Sequence, residues 1–385
     1  MKNTSKQIVK IALVANTSWS LFNFRIDVIR FFIQEDIDVY VIAPRDDYSD
    51  KLVAEGAIFI PLKLNNYSTS MRSEVSTFLH LFRIYRKYQF DHILHYTIKP
   101  NIYGSLAAGL NRNSNIAVVT GLGKTFQFPP LLQYFLNRLY ALSLKCADEV
   151  WFLNDENLKK FVSKNLIDKD KGFVLPSEGV DTRKFKSDHW RGSIMGSIKF
   201  LFAGRLLKDK GIFEYVQMAK AIVESYDDVS FEIAGFIDPE NPNSISLDDI
   251  SEWQSAGWIS YLGSHQDIRP FLANTDCLIL PSFYEEGVSR ILLEAASMAK
   301  PIITTDQTGC RDVVIHGVSG LIVRKRSVED LINAVEFIMD LSDDERKEYG
   351  REGRQLVKEN FDIQKVIQIY NEKILDQFTH RQIPG

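Results

Sequence analysis

Two short stretches of the chain carry side chains suited to holding a diphosphate. In the first, Phe202–Gly211, an apolar run ends at Ala203 and is followed by Gly204, Arg205 and Lys210 before a helical pattern begins. The glycine lets the backbone pass close to a ligand. A guanidinium and an ammonium beside a helix N-terminus attract a diphosphate, because positive charge and unpaired amide groups converge there. Alone this pattern is weak, since a Gly-Arg turn after a strand is common.

The second stretch, Pro281–Ala295, leads from an apolar run through a loop into a helical pattern, with Glu286 in the loop and Glu294 in the helix. A helix starting at Gly287–Ser289 would offer unpaired amide donors to a phosphate. Glu294 would lie about 9 Å further along at 1.5 Å per residue, a reach that matches the distance from a diphosphate to a ribose. Taken singly, each glutamate also fits an ordinary surface or helix position.

The elements that must position these residues form two similar series. Short apolar runs alternate with longer amphipathic ones, a pattern typical of parallel sheets covered by helices. The strand-like runs of the first series are Ile11–Ala15, Val39–Ala43, Ile58–Ile60, His92–His95, Ile116–Val119 and Trp151–Leu153. Those of the second are Phe200–Ala203, Val229–Ala234, Trp258–Leu262, Cys277–Leu280, Pro301–Thr304 and Gly320–Val323. The pattern predicts two doubly wound α/β domains with a cleft between them, and ligands in such sheets bind beyond the carboxyl ends of the strands.

Composition agrees with a soluble globular protein of two or three domains. The 385 residues are 45% hydrophobic and 25% charged, which excludes a disordered or disulfide-scaffold class. No run is long and apolar enough to predict a membrane-spanning helix, and no secretory signal is expected. Cys146, Cys277 and Cys310 have no metal spacing and are expected to be reduced thiols in a cytosol. The polar residues 184–199 are the best linker candidate.

The charge is distributed unevenly between the halves. Residues 1–190 hold 25 basic and 19 acidic side chains, a net charge of +6, and the remainder holds 21 and 31, a net charge of −10, which together make −4. The asymmetry indicates two domains with different partners, and scatter in surface charge is the open alternative.

With these motifs in place, the chain resembles the family 4 retaining glycosyltransferases, which have the GT-B fold of two Rossmann-like domains. Arg205 and Lys210 together with Glu286-x7-Glu294 match the family signature. Further segments resemble the capsular-polysaccharide and bacillosaminyl-glycan branch. These are His95–Gly104, Thr120–Gly123, Trp151–Asn154, Pro239–Pro242, Gly287–Arg290, Lys300–Asp306, Gly309–Arg311 and Gly317–Val323. The match spans nearly the whole chain.

The resemblance implies a role for each matching position. Arg205, Lys210 and Glu286 would be catalytic, the cations holding the donor diphosphate and Glu286 the donor sugar, while Glu294 would bind the ribose. The other donor contacts implied are Gly204, Gly287, Val288 and Ser289. The implied acceptor or sugar contacts are Asn16, Arg25, His95, Lys99, Gly121 and Gly123. The implied domains are 1–187 for the acceptor, 188–362 for the nucleotide sugar, and a helix in 363–385 that returns to the first domain.

Several positions depart from the family pattern. Ser289 stands where relatives usually carry proline, and Ser177-Glu178 replaces a Gly-Ser pair before Gly179, which alters the expected hinge. Gly121–Gly123 occupies the place of a histidine that touches the donor sugar in many relatives, so the donor sugar is less predictable. The first loop, 16–20, lacks the glycines found in many relatives.

Three features keep two interpretations each. The segment Arg45–Asp50 is a metal-like carboxylate cluster or, as we favour, a solvated turn that caps a helix. His95 is a sugar contact or a packed strand-end histidine. Phe126–Lys145, which contains no acidic residue, and Phe78–Lys87 are basic and rich in aromatic residues. One interpretation is that both segments are helices whose apolar residues mostly pack in the core. The other is that they make peripheral contact with an anionic membrane.

The activity implied is transfer of a sugar, an N-acetylhexosamine or related deoxysugar, from a UDP-sugar to a lipid-diphosphate-linked saccharide in bacterial surface-polysaccharide or glycan assembly. The resemblance implies no metal or other cofactor, and no recognised nucleic-acid module is present. A cytoplasmic enzyme at the inner face of the membrane is expected. The alternatives are a non-catalytic nucleotide-sugar-binding subunit and a GT-B epimerase or phosphorylase acting on a soluble sugar.

Overall fold

The computed structural model describes residues 8–66, 70–121, 130–186, 197–239, 241–285 and 287–376. The predicted site residues Gly123 and Glu286 lie outside these ranges. The chain forms two compact units, one of residues 1–178 and 366–385 and the other of residues 179–365.

The first unit is built on a parallel sheet with helices between its strands. The strands are β1 (Lys10–Val14), β2 (Asp38–Ala43), β3 (Ile58–Pro61), β4 (His92–Tyr96), β5 (Ser114–Val119), β6 (Glu149–Phe152) and β7 (Gly172–Val174). The helices are α1 (Ser18–Gln34), α2 (Ser49–Ala54), α3 (Met71–Tyr88), α4 (Ser105–Asn111), α5 (Pro130–Lys145) and α6 (Asp155–Ser163). A π-helical turn, Pro100–Gly104, precedes α4.

The strand order β3-β2-β1-β4-β5-β6-β7 confirms the predicted doubly wound arrangement. Each predicted strand of this half is present, and β7 is an addition that the sequence pattern did not indicate. The central strands β1 and β4 are buried almost throughout, because both faces of a parallel sheet are covered. Side-chain caps begin the helices at Thr17, Ser70 and Asn154, where each accepts an amide hydrogen bond from the first turn.

The second unit repeats this plan. Its strands are β8 (Ile198–Ala203), β9 (Val229–Ala234), β10 (Ser260–Gly263), β11 (Cys277–Leu280), β12 (Ile302–Thr305) and β13 (Gly320–Val323). Its helices are α7 (Ile212–Val223), α8 (Leu247–Ser255), α9 (Arg269–Ala273), α10 (Arg290–Ser297), α11 (Val328–Asp340), α12 (Asp343–Asn360) and the start of α13 (Ile363–Tyr370). The sheet is parallel, in the order β10-β9-β8-β11-β12-β13. The two Rossmann-like folds expected from the sequence are therefore present.

The chain passes between the units at Glu178 and again within α13, after Lys365. The first passage lies nine residues before the boundary expected at residue 187. The reason is a non-local pairing: Val180 donates its amide to Phe361 O and accepts from the amide of Ile363, at 3.0 Å each. This pairing, together with a Thr182–Asp362 hydrogen bond, incorporates residues 180–182 into the second unit. Residues 366–376 belong to the first unit.

In the described part of the chain, none of the helices combines the length and apolar character needed to cross a bilayer. The three cysteines are free thiols.

Candidate active site

The second sheet has a topological switch point between β8 and β11. From β8 the chain moves outward to β9 and β10, and from β11 it moves outward in the other direction to β12 and β13. A crevice forms where neighbouring connections diverge in this way, and it is the usual ligand position in doubly wound sheets. The two motifs singled out in the sequence are the loops that follow β8 and β11, so the fold brings them together at this point.

The loop after β8 begins at Gly204, whose backbone has φ +144°, a conformation that favours glycine. A Cβ placed on Gly204 would meet no atom of the described structure within 4 Å. Space is therefore open on this side of the backbone. Arg205 follows and is half-buried.

Lys210 ends a 3-10 turn, Lys208–Lys210, and is only 7% exposed. Gly211 then adopts φ +77°, and a Cβ there would lie 2.2 Å from the carbonyl oxygen of Pro281. The amide of Phe283 donates to Asp209 O at 2.9 Å. These close contacts lock the cationic loop after β8 against the loop after β11, and only glycine fits at position 211.

Tyr284 brings the two cations to a common contact. The guanidinium carbon of Arg205 and Nζ of Lys210 each lie 5.6 Å from the centroid of its ring. Both distances are within the range of cation–π attraction, which offsets the mutual repulsion of two like charges held together. The Tyr284 ring thus contributes to positioning both cations.

Glu294 lies on α10, one turn beyond Arg290, and its Oε1 accepts a 2.9 Å hydrogen bond from Arg290 Nε. Its side chain is 12% exposed. Burial raises the pKa of Glu294, while the positive charges of Arg290 and Lys184 lower it in part. A buried carboxylate held in one orientation is suited to accept hydrogen bonds from a pair of hydroxyl groups.

The start of α10 corrects one expectation about the phosphate contacts. The amide of Ser289 donates to Gly309 O at 3.0 Å, so this donor is not available to a phosphate as the sequence analysis assumed. Ser289 is the N-cap residue of α10, and Gly287 and Val288 are buried beside it. The backbone geometry tolerates serine here, as expected.

In the first unit, two predicted acceptor contacts lie at the carboxyl edge of the sheet. Lys99 Nζ donates to Glu74 Oε1 at 2.6 Å and to Asn65 O at 2.7 Å. The neighbouring Asn66 donates to Asn16 O at 3.2 Å. The loops after β1, β3 and β4 therefore converge, and they bring Asn16 and Lys99 to one place. Gly121 follows β5 and is half-buried.

Of the two interpretations of His95, the structure supports the packed strand-end histidine, because the residue is fully buried. Its Nε2 lies 2.9 Å from the Tyr85 hydroxyl and its Nδ1 3.5 Å from Ser105 Oγ. The imidazole lies so close to Gly104 that a Cβ there would be 2.3 Å from the ring. Burial lowers the pKa of His95 to about 3, which keeps the imidazole neutral. It contacts the core where a sugar contact was expected.

Arg25 is likewise buried, at 3% exposure, rather than presented to an acceptor. Its Nη2 lies 2.5 Å from Glu178 Oε1, and its guanidinium carbon lies 4.4 Å from the centroid of the Tyr96 ring. Burial opposes the charged form, but the negative charge of Glu178 keeps the pKa of Arg25 above its ordinary value. The structure therefore assigns Arg25 to an internal ion pair.

The carboxylates of Arg45–Asp50 form a turn before α2. Asp46 accepts amide hydrogen bonds from Trp19 and Tyr48, at 2.9 Å each. Arg45 pairs with Asp50 on the surface at 3.2 Å. Throughout the described ranges there is no grouping of three potential metal-ligating side chains. The turn interpretation accounts for these contacts.

Comparison with known sequence families follows the same division of the chain. The family described as Glycosyl transferases group 1 matches residues 185–356, and the family described as Glycosyl transferase 4-like matches residues 10–154. The first match lies entirely in the second unit and the second match entirely in the first unit. The chain is a glycosyltransferase with the GT-B fold.

Several glycosyltransferases of known name are similar to this chain over most of its length and most of their own. The N,N'-diacetylbacillosaminyl-diphospho-undecaprenol alpha-1,3-N-acetylgalactosaminyltransferase of Campylobacter jejuni is 28% identical over 86% of this chain and 90% of its own. The capsular polysaccharide biosynthesis glycosyltransferase CapM of Staphylococcus aureus is 24% identical over 87% and 89%. An Escherichia coli UDP-Gal:alpha-D-GlcNAc-diphosphoundecaprenol alpha-1,3-galactosyltransferase is 26% identical over 80% and 81%.

Solved structures share the fold at lower identity. A glycosyltransferase from Rickettsia africae superimposes with a TM-score of 0.77 at 19% identity, over 95% of this chain and 98% of its own. Anabaena HepE, solved in complex with UDP, gives 0.78 at 14% identity over 96% and 100%.

Two residues of the candidate site carried no prediction from the sequence. Tyr284 contacts both cations, and Arg290 holds Glu294. Arg290 has a signal, because it precedes Glu294 by four residues on a predicted helix, the spacing of an ion pair. For Tyr284 the signal is weaker: an aromatic residue in the loop shortly after a strand, opposite a loop with two cations.

Proposed function

We propose that this glycosyltransferase moves a sugar, an N-acetylhexosamine or related deoxysugar, from a UDP-sugar to a lipid-diphosphate-linked saccharide with retention of configuration. The observation that carries the proposal is the placement of Arg205 and Lys210 on one aromatic ring at the switch point of the second sheet. Two fixed cations at this crevice suit a leaving group that develops the charge of a nucleoside diphosphate.

The chemistry follows from these positions. As the bond from the anomeric carbon to the diphosphate breaks, negative charge grows on the diphosphate and positive charge on the sugar. Arg205 and Lys210 stabilise the first, and Glu294 holds the ribose so that the diphosphate lies against the cations. Glu286 would hold the sugar hydroxyls. For retention, the acceptor hydroxyl attacks the anomeric carbon on the face from which the diphosphate departs, and its proton passes to the departing diphosphate.

The acceptor class is supported by relatives that cover most of the chain. The names of the Campylobacter and Escherichia coli enzymes both specify a saccharide on a diphosphate-linked undecaprenol, and the second also specifies a UDP-sugar donor. The CapM name places that relative in capsule biosynthesis. We therefore propose a lipid-diphosphate-linked acceptor, with roles in capsule, O-antigen or glycan assembly, for this chain.

Calorimetric measurement of UDP and GDP binding to the full chain tests the proposed UDP-sugar donor. We expect UDP to bind more tightly than GDP, and Glu294→Gln to weaken UDP binding by about 10- to 100-fold, the scale of a lost charged hydrogen bond. Glu252→Gln, which alters an exposed carboxylate on α8 of the same unit, is the matched control and should leave the affinity unchanged. Tighter binding of GDP would reject the UDP assignment, and binding of neither would favour a non-catalytic subunit.

A transfer assay tests the acceptor half. Product formation from a panel of UDP-sugars is measured with the saccharide on a lipid diphosphate and with the same saccharide free in solution. We expect transfer only to the diphosphate-linked acceptor, with an α-linkage from an α-configured donor when the anomeric signals are measured by NMR. Consumption of the donor without acceptor would instead favour an epimerase.

A further inference from the structure

The solvent-facing side of α3 combines large apolar and basic side chains and, among its described residues, lacks exposed acids. Met71, Val75 and Leu79 recur every four residues and are 79%, 48% and 39% exposed. Since α-helical residues four apart share a face, they form a stripe. The single acidic residue of the helix, Glu74, has a 14% exposed side chain and pairs with Lys99.

Basic side chains flank this stripe. Arg72 and Arg83 line, together with the stripe and Ser76, a shallow groove of about 410 Å³. Arg86 and Lys87 are exposed in the last turn of the helix. The face therefore presents an apolar half, which begins at Met71, and a strongly positive half toward Tyr88.

The neighbouring helices continue this surface. α4 packs against both α3 and α5, so the outer sides of the three helices lie next to one another on the unit. On α5, Tyr134, Phe135 and Leu142 are 52%, 61% and 57% exposed, and neither α4 nor α5 contains an acidic residue. The exposed basic residues of these two helices and their caps are Arg112, Arg138 and Lys145.

The location of the stripe refines the earlier expectation about Phe78–Lys87. Most apolar residues of that segment pack into the core of the first unit, among them Leu81, Ile84 and Tyr85. Two of the three exposed apolar residues, Met71 and Val75, precede that segment and flank Glu74 in the sequence. Glu74 binds Lys99, and Lys99 contacts the loop that also binds Asn16. The apolar end of the surface thus adjoins the region assigned to the acceptor.

We propose that the outer face of α3, α4 and α5 binds an anionic membrane surface. Exposed apolar and aromatic side chains enter the boundary between headgroups and acyl chains, and the basic side chains pair with lipid phosphates. An acidic protein partner would match the charge but would not by itself account for side chains as apolar and exposed as Met71 and Phe135. The proposal rests on the proposed function in one respect: a lipid-linked acceptor is presented at such a surface.

Sedimentation of the full chain with vesicles that contain no acceptor tests the surface by itself. The vesicles are phosphatidylcholine alone or with about a third phosphatidylglycerol. We expect binding to the anionic vesicles at about 0.1 M salt and its loss at about 1 M, where the Debye length falls from about 10 to about 3 Å. Failure of the wild-type chain to bind anionic vesicles at low salt would overturn the proposal.

Variants locate the contact. Arg72→Gln/Arg83→Gln should weaken binding about thirtyfold, since each arginine near an anionic surface contributes about fivefold. Met71→Gln/Val75→Gln/Leu79→Gln should weaken it at least tenfold. The matched control is Leu247→Gln/Ile315→Gln/Val318→Gln, three exposed apolar residues of the second unit, and it should bind as the wild type does. Binding of the α3 variants at wild-type strength would also overturn the proposal.

Transfer to a water-soluble, short-chain diphosphate acceptor, measured without vesicles, separates this proposal from the proposed function. The α3 variants should keep wild-type turnover there, because the surface acts on membrane binding alone. Absence of turnover in the wild type would count against the proposed function and leave vesicle binding as the test of the surface.

Discussion

Replacing Tyr284 removes the contact that Arg205 and Lys210 share, so it tests whether the cations are positioned by the ring. Each cation lies 5.6 Å from the ring centroid. Such a contact contributes about 0.5–1 kcal/mol when exposed and about 2 kcal/mol when desolvated. Lys210 is 7% exposed and Arg205 is half-buried, so we take about 2 kcal/mol for the two together.

Tyr284→Leu should therefore lower kcat/KM by about thirtyfold, since each 1.36 kcal/mol of transition-state stabilisation is a factor of ten. Most of the loss should appear in kcat, because in the proposed mechanism the cations stabilise charge that develops on the diphosphate as it leaves. Tyr284→Phe keeps the ring and should stay within about threefold of the wild type.

The assay is the initial rate of UDP release over a range of donor concentrations at saturating acceptor, with thermal unfolding of each variant as the folding control. A folded Tyr284→Leu variant that keeps wild-type kcat/KM would show that the ring does not position the cations. An equal loss of kcat/KM in Tyr284→Phe and Tyr284→Leu would assign the effect to the hydroxyl group instead of the ring.

Two further predictions concern Lys210 and His95. Lys210→Met should lower kcat about a hundredfold, the scale of one lost donor to a developing anion. Lys208→Met, which alters an exposed lysine of the same turn, is the control and should change kcat little. Equal losses of kcat in the two variants would indicate a general effect of charge. For His95, burial lowers the pKa to about 3, while the unfolded chain has about 6.5. Between these values the unfolded state binds more protons, so stability falls as pH falls through this window, by up to about 1.4 kcal/mol per pH unit. The free energy of unfolding, measured with urea at pH 5 and pH 7, should differ less between the two pH values in His95→Gln than in the wild type. An equal difference in both proteins would contradict the buried neutral imidazole.

The fold was largely predictable because its signal is local. Apolar runs of three to six residues separated by amphipathic segments mark the strands of a covered parallel sheet. The sequence did not predict β7, because Gly172–Val174 is only three half-buried residues with no clear apolar pattern. The passage between the units was misplaced for a different reason: Val180 pairs with residues near 362, and a contact over such a separation leaves no trace in the neighbouring sequence.

The same distinction between local and non-local signals applies to the candidate donor site. Arg205, Lys210 and Glu294 could be singled out because each lies within a short motif whose spacing is set by one loop or one helix. The amide of Ser289 looked equally available, but its partner, Gly309 O, belongs to a segment twenty residues later. Tyr284 gains its significance only where the loops after β8 and β11 meet. Local spacing thus predicts which side chains a motif offers, and the tertiary structure decides which of them remain available.

Arg25 and Glu178 show that a departure from a family pattern can still be informative. Considered alone, Glu178 in place of a small residue altered the expected hinge, and Arg25 resembled an acceptor contact. In the structure each is the other's partner at 2.5 Å. A buried guanidinium without a counter-ion is strongly unfavourable, and so is a buried carboxylate without one. Each residue therefore accounts for the other, and the ion pair ties Glu178 to α1 immediately before the chain first passes to the second unit.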